Sequence, residues 1–130
     1  MDAEAEGVAG LALLAMHADG VLAPQEDEAL RARLLQHPFF SHTGEEGLGR
    51  VLAKVEARAL ALGPERFFAE CLAAVRPALR LTAYRIAAEI ALADGHVVPE
   101  EVEYLAALRK GLSLSREDAA AVHKALARRG

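Results

Sequence analysis

Apolar residues fall at three- and four-residue steps along almost the whole chain, the spacing that places them on one face of an α-helix. Val8, Leu11, Leu14 and Ala15 carry the first such face, predicting a helix over residues 3–18 that ends at Asp19-Gly20. Pro24 suits the first position of a second helix, whose inward residues are Leu30, Leu34 and Leu35 and which Pro38 stops. The stretch HPFFSHTGEEG reads as a loop. A long third helix over 45–62 uses Leu48, Val51, Leu52, Val55 and Leu60, and Gly63-Pro64 punctuates it before a short fourth in PERFFAECLAAV. Pro77 introduces a fifth that runs to Ala93 and stops at Asp94-Gly95. Pro99 opens a sixth through Val102, Leu105 and Leu108, closed by Gly111, and Ser115 with Asp118 approximates the capping box of a seventh that reaches the last residues. No segment alternates apolar with polar over a strand's length, and no low-complexity linker interrupts the series. The fold expected is all-α: one domain over 1–130, a compact bundle of about seven helices.

One element occurs twice. HADGVLAPQEDE (17–28) returns as LADGHVVPEEVE (92–103), so a shift of 75 positions pairs Asp19 with Asp94, Gly20 with Gly95, Pro24 with Pro99, Glu26 with Glu101 and Leu30 with Leu105. The flanking helices pair as well, which suggests an internal helix-turn-helix duplication packed about a pseudo-twofold axis. With Gly20 at the glycine position of a calcium loop, Asp19 and Glu26 take the fifth and twelfth places, as do Asp94 and Glu101 in the second copy. The early ligand places hold Ala15, His17, Ile90 and Leu92, which offer no hard oxygen. One turn supplies about four of the six to eight oxygens calcium wants, so water fills the rest or the two turns pool their four carboxylates. A divalent metal ion held by Asp19, Glu26, Asp94 and Glu101 is the resulting expectation, with calcium, magnesium or manganese favoured over zinc by the oxygen donors. His17 and His96 are further nitrogen donors in reach, though at different places in the two copies.

The same residues also make a plain interhelical turn. Glycine relieves backbone strain, proline starts the next helix, and glutamate in a first turn meets the positive end of the helix dipole. Both readings stay open on the sequence. Glu28 and Glu103 lie two residues past Glu26 and Glu101, a rotation that aims them away from the turn and into solvent. Glu89 has Arg85 one turn before it, a surface ion pair in expectation.

Composition narrows the function. Of the 130 residues, 53% are hydrophobic, enough for one packed core. Asp plus Glu number 19 against 15 Lys plus Arg, and this acidic balance argues against a nucleic-acid partner. The single cysteine, Cys71, sits in an apolar run as a structural thiol and excludes an internal disulfide. VAGLALLAMHA is too short to cross a bilayer and follows acids, so no membrane insertion and a cytoplasmic location are expected. A glycine-rich phosphate loop, a GxSxG elbow and HExxH are all absent, and a non-enzymatic protein is expected.

The ADG steps, Ala18-Asp19-Gly20 and Ala93-Asp94-Gly95, each followed by a hydrophobic turn and then by Glu26 or Glu101, resemble the tellurite-resistance TerB-like family over nearly the whole chain. Ala23 departs from the Ser or Thr cap expected before the second helix. The resemblance implies a bundle of about seven helices, a metal site at the acidic turns, a role in tellurite resistance or general stress response, and no catalytic reaction. It also implies an alternative: a helical adaptor that binds a protein partner without metal. Such an adaptor would expose an apolar strip, beside Phe39 and Phe40 for instance, but those two phenylalanines read first as ordinary core anchors.

Overall fold

The computed structural model describes residues 3–18, 24–41, 43–92 and 98–129. Within them lie eight α-helices: α1 (Ala3–Met16), α2 (Pro24–Leu35), α3 (Pro38–Ser41), α4 (Gly44–Leu62), α5 (Pro64–Ala74), α6 (Arg80–Ala91), α7 (Pro99–Gly111) and α8 (Arg116–Arg129), with a 3₁₀ turn at Pro77–Leu79 before α6. No strand occurs among the described residues, and the all-α expectation holds. Seven of these helices are the ones expected. The eighth, α3, is a single turn inside the predicted loop, where Pro38 starts a turn as well as ending one.

α1 is the central helix. Val8, Ala9, Leu11, Ala12, Leu13 and Ala15 are all 4% exposed or less, so its apolar residues are buried nearly all round rather than along one stripe. It packs on α4, α5 and α6 and also touches α2 and α7. α6 is the second buried helix, with Ala83, Tyr84, Ile86, Ala87, Ala88, Ile90 and Ala91 inside. Leu30 and Leu34 of α2, Leu105 and Leu108 of α7, and Ala119 and Val122 of α8 complete one continuous core.

Glycine sets the closest approach between helices. A Cβ on Gly10 would stand 2.5 Å from the Cys71 sulfur and 2.7 Å from Phe67 Cζ, and one on Gly7 would stand 2.9 Å from Ala74 Cβ. The missing side chains on α1 therefore admit α5 at a separation no larger residue permits. Gly111 ends α7 as expected, but it also abuts Leu72, whose Cδ1 would lie 2.5 Å from an added Cβ. The left-handed residue past this helix is Ser113, at φ 58°. There the Ser113 and Leu114 amides donate to the Lys110 and Arg109 carbonyls, each at 3.0 Å, while Arg109 Nη1 donates to the Leu114 carbonyl at 2.9 Å.

Polar contacts tie the periphery. Ser115 caps α8 by accepting the Asp118 amide at 3.0 Å. Tyr84, buried on α6, has its hydroxyl 2.6 Å from His123 Nε2 of α8, and burial raises its phenol. Arg58 of α4 clasps Glu70 of α5 through Nε at 3.0 Å and Nη2 at 2.8 Å, a two-pronged pair that lowers the Glu70 carboxyl and raises the guanidinium.

Candidate functional site

Of the four carboxylates expected to hold a metal, the structure describes one. Asp19 and Asp94 lie outside the described residues, and so does the side chain of Glu26, whose backbone is in the first turn of α2. Glu101 is on the third residue of α7, and its Oε1 accepts the Val98 amide at 3.0 Å. That is the reach-back half of a capping box; the reciprocal half is missing because a valine side chain has no acceptor. The bond takes up one lone pair and leaves the second carboxylate oxygen available. Among the described residues, no group of three His, Cys, Asp or Glu side chains is arranged to hold a metal ion.

Described residues that flank the two turns do share one groove. His17 and Ala18, at the end of α1, line a groove of about 430 Å³ together with Glu100 and Glu103 of α7. The residue before Asp19 and the first turn of the helix after the second Asp-Gly step thus border one space. Pro64, Glu65 and Phe68 from the start of α5 form its other wall. Tyr104 fixes the crossing: its hydroxyl donates to the Leu11 carbonyl of α1 at 2.6 Å, and its ring lies 5.7 Å from that of Phe68, tilted by 60°. Burial holds the Tyr104 phenol well above its ordinary range, so it remains a neutral donor. Glu65, Glu100 and Glu103 are exposed, as expected for Glu103, and form no ion pair among the described residues. Glu65 and Glu100 gain from the dipoles of the helices they begin, by about 0.3–1 kcal/mol each.

A larger groove of about 590 Å³ runs between α1, α4 and α5, floored by Phe67, Cys71 and Ala74. Its acids are already matched: Glu6 meets Lys54 Nζ at 3.0 Å, and Glu70 is held by Arg58. Cys71 is 3% exposed, and burial pushes its thiol up to about 12, in keeping with a structural rather than a reactive cysteine. On the opposite side, Glu89 of α6 reaches the corner between α2 and α3, where its carboxylate lies 3.7 Å from His37 Nε2, a cross-helix neighbour that the sequence spacing did not reveal.

Phe39 and Phe40 pack inward, in keeping with core anchors. Phe40 is 1% exposed and meets the partly buried Phe39 edge-to-face at 4.9 Å. Among the described residues, the large apolar side chains most open to solvent are Leu60, Leu81 and Val102, on three different helices. No helix among the described residues is long and apolar enough to cross a membrane.

No curated protein and no solved structure matches the chain. The sequence model of the family described as "Tellurite resistance protein TerB" matches residues 5–124, which takes in six of the helices whole and most of α1 and α8. On that span the chain belongs to the TerB family.

Proposed function

We propose that this TerB domain is a non-enzymatic module that binds a divalent cation at its two acidic Asp-Gly turns, through Asp19, Glu26, Asp94 and Glu101, and that it serves tellurite resistance or a general stress response. The observation that carries the reading is a groove shared by residues that flank the two turns. The end of α1 and the first turn of α7 both line it, which supports a reading in which the acids of the two turns act together. A turn with about four oxygens is a weak site alone; two turns in one neighbourhood supply enough to complete a calcium, magnesium or manganese shell with water. Glu101 keeps one oxygen for a metal after capping its own helix.

That cap also favours the second reading, in which the glutamates only start helices and the domain is an adaptor for a protein partner. Two experiments separate them. Glutamine at position 101 retains the oxygen that accepts the Val98 amide but loses the charge, so Glu101→Gln should leave the melting temperature almost unchanged while weakening cation binding. Calorimetric titration of metal-free protein with calcium, magnesium and manganese should give saturable heat that Asp19→Ala or Asp94→Ala abolishes. Identical isotherms for the wild type and both aspartate variants would refute the assignment and leave the adaptor.

A further inference from the structure

We infer that the groove across the end of α1 is a docking site for a basic amphipathic segment of another protein, one that places Leu-like side chains inward and Lys or Arg at its margins. The inference goes beyond the cation reading, because the described residues that line the groove are not the ones assigned to the cation. Two observations choose the occupant. The floor is apolar and aromatic: Leu14, Phe68 and Tyr104, with Tyr104 pinned to the Leu11 carbonyl and thus presenting a fixed surface. Among the described residues, the rim carries Glu65, Glu100 and Glu103 and no Lys or Arg.

Charge accounting in the two apolar grooves differs in kind. Around the groove of α1, α4 and α5, Glu6 and Glu70 are neutralised by Lys54 and Arg58 of the same chain, so that surface offers a partner no net charge. At the end of α1 the three carboxylates have no cation among the described residues. The helix dipole accounts for Glu65 and Glu100 in first turns, but its effect fades beyond the first turn and does not account for Glu103. Glu100, Glu103 and Ala107 follow one another at three- and four-residue steps, so α7 presents an acidic, then small, ridge along one wall. An amphipathic helix laid in the groove would bury its apolar face on Phe68 and Leu14 and meet the glutamates with its flanking cations.

The test is fluorescence anisotropy with a labelled synthetic peptide of leucine and lysine in helical period, its twin with glutamate for lysine, and the full-length protein in EDTA. The lysine peptide should bind, with affinity falling roughly tenfold between about 50 and about 300 mM salt. Glu100→Gln with Glu103→Gln should weaken it about fivefold, the sum expected of two exposed ion pairs. Ala107→Arg, an exposed position, should abolish binding without changing the circular-dichroism melt. Equal binding of the glutamate twin, undiminished binding to the Ala107→Arg protein, or no binding of the lysine peptide at millimolar protein would each overturn the proposal. The Glu100→Gln, Glu103→Gln protein should still give the cation heats of the wild type, so loss of peptide binding and loss of metal binding are read apart.

Discussion

Replacing Gly10 by alanine adds one methyl group where α1 and α5 come closest. Its Cβ would lie 2.5 Å from Cys71 Sγ, 2.7 Å from Phe67 Cζ and 3.1 Å from Phe67 Cε2. Ordinary contact between such atoms is about 3.5 Å or more. Cys71 is 3% exposed and Phe67 2%, so neither can swing into solvent, and the helices must separate. Forcing a methyl into a filled core costs about 1–3 kcal/mol. Against this, alanine in a helix interior is favoured over glycine by about 0.5–1 kcal/mol. The packing cost is the larger, leaving a net loss of about 1–2 kcal/mol and a melting temperature lower by roughly 3–8 °C. Gly49 supplies the control. It is also inside a helix, α4, but the nearest atom to an added Cβ is Arg31 Nη1 at 3.5 Å, an ordinary contact. Gly49→Ala should therefore stabilise by about 0.5–1 kcal/mol, the propensity gain alone. Urea unfolding of both variants measures the pair, and a double-mutant cycle with Cys71→Ala should return part of the Gly10→Ala loss. Equal stabilisation by the two alanines would refute the close approach of α1 and α5.

Ser115→Ala removes the acceptor for the Asp118 amide and should cost about 1 kcal/mol, read as a shift in urea midpoint. Tyr84→Phe removes the hydroxyl that meets His123 and should cost about 0.5–1.5 kcal/mol, with faster amide exchange confined to α8. Burial raises the Cys71 thiol from 9.0 to about 12, so the unfolded chain loses this proton first. Its contribution to stability is intact below pH 9 and is lost as the pH rises from there towards 12. The buried tyrosines act in the same direction at higher pH, so the difference between the wild type and Cys71→Ala isolates the thiol. That difference in urea midpoint should change between about pH 8 and about pH 10.5.

Most helix ends were legible because this chain punctuates itself chemically. Pro24, Pro64 and Pro99 each stand first in a helix, and Gly63, at φ 83°, both ends α4 and precedes α5. α3 was not legible because four residues carry no period, and a proline that stops one helix looks the same as one that starts the next. The packing roles of Gly7, Gly10 and Gly111 were hidden too: in sequence an interior glycine registers only as a weak helix former, and its use depends on which helix crosses there. At the site, Glu101 was readable as a first-turn acid favoured by the helix dipole, but its reach back to the Val98 amide was not read from the sequence. Glu103 was readable as solvated, but not as one wall of a groove with Glu65, since residues 38 positions apart meet only through the crossing of α5 and α7 at the end of α1. The contact of Glu89 on α6 with His37, in the corner between α2 and α3, is hidden for the same reason.

Manganese titrated into isotope-labelled, metal-free protein tests the functional account most directly, because its unpaired electrons broaden amide resonances near the bound ion. The account predicts early broadening centred on residues 19–26 and 94–101 together, reversed by EDTA and lost from both turns in Asp94→Ala. Broadening confined to one turn, or spread over exposed acids such as Glu45 and Glu117 without preference, would contradict a cation site shared by the two turns.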